Sequence, residues 1–244
     1  MQHVHAIEVS RGMRLAAILL LSCLLFSSYA FGQQTYVGRW DAYGGFTDIL
    51  QPSINLAEPG FNGQFGFRAK TWLTLGFDYS VASGRNILEP GMLIPSLATQ
   101  LGQQLGALET VGLVPAGYNL AVPTNIRTQT FQVGPDIPFR HFQSVTFFVR
   151  PNLGALQAVA TPRPGDPIAS AIVGQLTPTG KKTDWTYFYG FGGGFEVNVT
   201  NHFALRFQAD YARDQMFNDI LKAGNTIRFS CGPAFQFGKN VAGR

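Results

Sequence analysis

Residues 184–238 alternate, and few folds accept a chain that alternates for so long. Trp185, Tyr187, Tyr189, Phe191, Phe195, Val197 and Val199 are apolar or aromatic, while Thr186, Gly190, Gly192, Gly194, Glu196 and Asn198 between them are polar or tiny. After a Thr200-Asn201-His202 turn the pattern resumes, with Phe203, Leu205, Phe207, Ala209 and Tyr211 against Arg206, Gln208 and Asp210. It returns a third time as Ile227, Phe229, Cys231, Phe235 and Phe237 against Thr226, Arg228, Ser230 and Gln236. A period of two means β-strands with one greasy and one polar face.

Upstream, the same period predicts strands over 36–46, 61–69, 72–83, 126–134 and 142–155. The fourth is marked only by Phe131 and Val133. Lys70-Thr71 between the second and third is short enough for a hairpin, and 135–140 reads as another turn. The count is eight strands. Their connections alternate in length: long after the first (52–59), third (84–124), fifth (158–182) and seventh (214–224), tight after the second, fourth and sixth. Within 84–124, residues 92–111 lose the period of two and fit one amphipathic helix bounded by Pro90, Pro95 and Pro115. The stretch 158–182 reads as a long polar loop. Short turns at one end and long loops at the other are the asymmetry of outer-membrane barrels.

Charge decides which face is inside. Only 13% of residues are charged, against about a quarter in an ordinary soluble domain. The polar faces carry Arg39, Asp41, Arg68, Asp78, Arg150, Glu196, Arg206, Asp210 and Arg228, five cations against four carboxylates. Turning those nine to lipid costs about 2–4 kcal/mol for each Arg at the bilayer midplane. Turning the aromatic faces to water exposes a band far beyond what a monomer tolerates. The arrangement of least conflict puts aromatics on lipid and charges in the lumen, where Arg pairs with carboxylates. An eight-stranded barrel is just wide enough for side chains to fill. The lumen charges, with Tyr43 and Phe188, therefore predict a plugged barrel, and Gly190, Gly192 and Gly194 leave room for bulky neighbours.

Residues 1–32 read as a secretory signal. Arg11 and Arg14 make the basic region, 15–26 the apolar region, and Ser28-Tyr29-Ala30 or Ala30-Phe31-Gly32 a small-x-small cleavage site. A dozen apolar residues are short for a membrane-spanning helix. Leu20-Leu21-Ser22-Cys23 also resembles a lipoprotein box, although 24–31 stays apolar where a tether is polar. The domain division is thus a signal peptide, 1–32, and an outer-membrane barrel, 33–244. Removing Cys23 leaves Cys231 alone on an apolar face, a hydrophobic filler and not half of a disulfide. The formal charge of +4 is too mild to imply nucleic acid as a partner.

Gly192-Gly193-Gly194-Phe195-Glu196-Val197, His202-Phe203-Ala204-Leu205-Arg206, Asp210-Tyr211 and the closing Phe235-Gln236-Phe237-Gly238 together resemble the small bacterial outer-membrane β-barrels with an OmpA-like or OmpX-like domain. The likeness covers about 35–240. It implies an all-β fold: an eight-stranded antiparallel up-and-down transmembrane β-barrel with four long external loops and short periplasmic turns. It also implies residence in the outer membrane of a Gram-negative-type cell and contact with outer-membrane lipid. The terminal aromatic read by the barrel-assembly machinery would be Phe237 or Phe235, although the chain here runs on to Arg244. No peptidoglycan-binding domain follows, so a tethering role is not implied.

Asp184, Asp210, Asp214 and His202 invite a hydrolase reading, but His202 falls at the turn end and Asp184 and Asp214 at the loop end. His141 is also on the turn side. No G-x-S-x-G or H-E-x-x-H pattern is present. Gly192-Gly193-Gly194 lies inside a strand and opens no helix, so it is no phosphate loop. Pro233 is a misfit in the last strand, because it donates nothing to a ladder. No residue pattern calls for a cofactor or a metal. The expectation is a non-enzymatic outer-membrane protein, structural or binding an extracellular ligand through its loops. Its rivals are a secreted soluble barrel around an apolar ligand and a barrel enzyme acting on lipid or peptide.

Overall fold

The computed structural model describes residues 34–222 and 224–242; the expected signal segment lies outside them. Eight strands follow one another: β1 (Gly38–Gln51), β2 (Leu56–Lys70), β3 (Leu73–Leu88), β4 (Val122–Phe139), β5 (Val145–Pro162), β6 (Lys182–Asn198), β7 (Phe203–Arg213) and β8 (Asn225–Asn240). Each pairs antiparallel with the next, and β8 closes on β1. The result is an up-and-down barrel without a free edge.

Two prolines face each other where sequence placed a turn. The expected turn at 135–140 is largely strand, because β4 continues to Phe139. Its pairing with β5 holds from Thr124–Pro162 to Val133–Leu153 and resumes at Ile137–Val149 in the same register. The skipped step holds Pro135 and Pro151, neither of which has an N–H to donate. Pro233 is absorbed similarly. The ladder of β8 with β1 runs from Phe237 to Ala234, skips Gly232-Pro233 opposite Gly44-Gly45, and resumes at Cys231–Phe46. The strands bridge these gaps because their other edges stay bonded.

The first external connection is far shorter than 52–59. Pairing of β1 with β2 runs out to Gln51–Leu56, which leaves Pro52–Ile54 as one 3-10 turn closed by Asn55 with φ +50°. Glu58 and Leu56, assigned to a loop by sequence, are buried inward-facing strand residues. Three external connections are therefore long, and they fold into a cap. The first carries α1 (Pro95–Thr110) and the second α2 (Pro167–Leu176). The second helix replaces the expected polar loop. Its signals are Asp166 at the N-cap, whose carboxylate accepts the Ala169 N–H at 2.8 Å, Pro167 in the first turn, and the spacing Ile168, Ile172, Leu176.

The third long connection ties the cap together. Ile94 N donates to Ile220 O at 2.9 Å and Lys222 Nζ to Gly91 O at 2.7 Å. Phe217 adopts a left-handed φ of +51°, held there by burial of its ring and by its N–H donating to Asp184 Oδ2 at 2.5 Å. At the opposite end 199–202 makes the tight β6–β7 turn, with Thr200 Oγ1 accepting from the N–H groups of His202 and Phe203.

Candidate functional site

Alternation places the inward row of every strand in a lumen graded from charged to apolar. Two ionic tiers occupy its middle and its turn-side half. In the lower tier Arg206 on β7 donates through Nε to Glu196 Oε1 at 2.8 Å and through Nη2 to Asp41 Oδ1 at 2.7 Å. It donates through Nη1 to Gln64 Oε1, also at 2.7 Å. Arg68 on β2 reaches Asp41 Oδ2 at 2.7 Å, Gln236 Oε1 at 2.8 Å and Gly38 O at 2.9 Å. The Arg206 guanidinium lies 5.3 Å from the ring centre of Tyr43 and 5.4 Å from that of Phe148, so it is paired at its edges and stacked on its faces.

The upper tier is centred on Asp78, which is 0% exposed. Arg228 grips it as a fork, Nη1 to Oδ1 and Nη2 to Oδ2, each at 2.8 Å. Such bidentate pairs are among the strongest a protein makes. Arg228 also donates to Asp210 Oδ2, at 3.0 Å through Nε and 2.6 Å through Nη2. Arg150 reaches Asp78 at 3.2 Å, Asp136 at 3.5 Å and Asp210 at 3.8 Å. Gln64 links the tiers by donating to Asp78 Oδ2 at 2.8 Å while accepting from Arg206. Arg228 and Asp78 sit on strands with β1 and β2 between them; the pairs span the lumen and do not merely follow the wall.

Of the nine charges singled out by sequence, eight meet here. Arg39 does not. A register shift between Gly38 and Trp40 breaks the alternation at the start of β1, and the Arg39 guanidinium lies 5.4 Å from the ring centre of outward-facing Phe67. Asp136 belongs to the network instead, and sequence missed it because Pro135 and Pro138 made its surroundings look like a turn. With Asp136 the network has four Arg and five carboxylates. Arg140 lines the same small turn-side cavity, and its positive charge restores neutrality.

Little open space is left. Voids of about 20 Å³ beside Phe188, Asn152 and Asp210, and about 10 Å³ beside Asp41, Arg68 and Arg206, interrupt the packing. Each has room for about one water molecule. Close packing on this side depends on glycine. A side chain at Gly192 would strike Asp210 Oδ1, and one at Gly194 would strike Phe207 O and lie 3.0 Å from the Phe148 ring.

Above the ions the lumen turns to hydroxyls, with Thr47 and Ser230 at 2.9 Å and Thr128 donating to Glu58 at 2.8 and 3.0 Å. Above those lies an apolar core shared with the cap, including Ile54, Leu56, Leu101, Ile126, Leu156, Phe217 and Leu221. A cavity of about 90 Å³ with an almost wholly apolar lining sits within it, between α1, α2 and the third long connection. Asp184 and Asp214 serve the cap, through Phe217 N and through Thr226 Oγ1 at 2.5 Å. His202 is at the far end, edge-on to Tyr36 at 4.6 Å between ring centres. The hydrolase grouping is not assembled.

The outer wall has the opposite chemistry. Phe46 is 66% exposed, and Phe61, Phe65, Phe77, Phe147, Phe191, Phe207 and Phe229 are also exposed. They stack on one another across strands, as Trp40 on Phe65 at 5.4 Å and Phe195 on Phe207 at 5.1 Å. Phe235 and Phe237 lie on this face in β8, opposite Ala42 and Trp40 of β1. A closed band of rings outside and buried ions inside inverts a water-soluble barrel.

This is the build of an outer-membrane β-barrel.

No family model matches the chain, and no curated protein matches it. Among solved structures it is similar to the outer membrane protein OprG from Pseudomonas aeruginosa, at 9% identity and a TM-score of 0.48, over 85% of this chain and 99% of that one. It is similar also to Neisserial surface protein A, at 14% identity and a TM-score of 0.46, over 81% and 96%. The attachment invasion locus protein of Yersinia pestis follows at 10% and 0.43, over 83% and 99%. These modest scores leave the fold to rest on the strand pairing and the inverted faces described above.

The cap offers a readout of its own. Asp166 accepts from Ala169 N and from Tyr118 Oη, at 2.8 Å from Oδ2 and 2.9 Å from Oδ1. The Ala169 N–H, then the Tyr118 hydroxyl, hold its carboxyl below the ordinary value of 3.8. A depressed carboxyl contributes stability that is present above the unfolded value and lost as pH falls through the folded one. Protection of the α2 amides, taken against the intrinsic exchange rate at each pH, is therefore expected to be high at neutral pH and to fall as pH drops below about 4. In Asp166→Ala it is expected to be low at both, and protection in Asp166→Ala equal to the parent's would show that Asp166 does not cap the helix.

Proposed function

We propose that the chain is an integral outer-membrane protein whose lumen is plugged by its own ion pairs and whose role is exerted at the outer face through the folded cap. The observation that carries the reading is the two-tier ionic network, which spans the lumen between strands that are not neighbours and, among the described residues, has voids of about 10 and 20 Å³ beside it. A barrel built this way anchors and displays; it does not pass solutes. The loops of 84–124 and 158–182, expected from sequence to meet an extracellular ligand, become one surface because α1, α2 and the third connection share a core. Phe235 and Phe237, outward on the closing strand, are suited to be read by the barrel-assembly machinery. No catalytic role is assigned to any residue.

Fractionation tests this reading. The protein is expected in the outer-membrane fraction, running faster unheated than boiled on a denaturing gel because the closed barrel survives detergent. Recovery in the soluble periplasmic fraction would overturn it in favour of a secreted barrel.

A further inference from the structure

One corner of the outer wall is basic. There β3 bears outward Ser83 and Arg85, and β4 bears Asn125, Arg127 and Gln129, around an open groove of about 710 Å³. Ser83 pairs with Arg127 and Arg85 with Asn125, so the two arginines are diagonal neighbours on one face, within reach of a single anion. Both are exposed, and neither forms an ion pair among the described residues. Asp48, the outward carboxylate at the corresponding register of β1, is separated from β3 by the whole of β2.

Their height is the second observation. From Leu73 at the start of β3 to Arg85, and from Phe139 at the end of β4 to Arg127, each strand climbs twelve residues. At about 3.3 Å per residue and a tilt near 40° that is roughly 30 Å. The apolar band of such barrels is about 25 Å tall. The aromatic row of Tyr79, Phe131 and Trp185, with ring centres 5.1 and 6.2 Å apart, lies just below. Counted from Leu73, Arg85 therefore stands about 5 Å above the hydrocarbon edge and Arg127, paired with Ser83, about level with it, so that both reach the depth of headgroups.

We infer that Arg85 and Arg127 form a binding site for the phosphate of an outer-leaflet lipid, resting on the outer-membrane reading above. Guanidinium forks match phosphate oxygens bidentately. Two cations without an ion-pair partner, held side by side at headgroup depth, attract lipid phosphate. Because the groove is lined by wall residues of β3 and β4 at headgroup depth, the phosphate comes from a lipid.

The test uses the complete barrel reconstituted in phosphatidylcholine nanodiscs with a rising fraction of lipid A, following the arginine side-chain NMR signals. Arg85 and Arg127 signals are expected to shift and saturate. Each of Arg85→Gln and Arg127→Gln is expected to weaken half-saturation about fivefold, from the roughly 1 kcal/mol that a basic residue contributes at a charged membrane surface. Lys239→Gln, at the turn end of β8, is expected to leave it unchanged. Equal lipid A binding by the Arg85→Gln/Arg127→Gln double variant and the parent would overturn the site. Saturation by inorganic phosphate alone would overturn the lipid as its occupant. Failure of the protein to enter nanodiscs at all would instead refute the outer-membrane reading.

Discussion

Replacing Arg228 by Met is expected to cost about 3–5 kcal/mol of barrel stability, the usual penalty for leaving a buried charge without its partner. Arg228 donates to both oxygens of Asp78 and to Asp210, and none of the three side chains is more than about a twentieth exposed. The void of about 20 Å³ beside Phe188 and Asp210 holds about one water molecule, which supplies fewer donors than the lost guanidinium. Urea titration in detergent, scored by the heat-modifiable band, measures the loss. The companion variant Arg228→Met/Asp210→Leu removes one of the stranded carboxylates, so it is expected to lose less than the sum of the single substitutions. A penalty for Arg228→Met below about 1 kcal/mol, the range of exposed pairs, would mean that the network is solvated and the lumen open.

Phe77→Arg is the second large effect. Phe77 is outward on β3, midway between Leu73 and Val81, where the apolar band is deepest. An arginine there is expected to cost about 2–4 kcal/mol in lipid. The same change at Arg127's level, as Ser83→Arg, is expected to cost about 0–1 kcal/mol, because penalties fall toward the interface. Refolding into vesicles under a urea gradient gives both numbers. If the two substitutions cost the same, the aromatic face meets water, and the barrel is not inverted.

Periodicity made the strands and their facing legible, because one inward and one outward residue per pair is a direct readout of a half-lipid, half-lumen environment. Eight of the nine charges assigned inward are brought together by that rule alone. The rule failed where local chemistry interrupts it. A register shift at Gly38 turned Arg39 out of the lumen, and Pro135, facing Pro151, disguised Asp136 as a turn residue. Glu58 was lost in the same way behind Pro52 and Pro59. The cap was harder to read, since α2 is only Pro167–Leu176 and its Asp-Pro start lies in a stretch rich in loop residues. Which pairs join across the lumen was not legible at all: Arg228 finding Asp78 depends on closure of the ring, and no local pattern encodes a neighbour on a strand two places beyond the next.

Conductance across a planar lipid bilayer tests the plugged lumen most directly. The four arginines, five carboxylates and water-sized voids predict that the inserted, heat-modifiable protein gives no stable steps above the bare membrane. Long-lived ohmic openings from the unaltered protein would contradict the account.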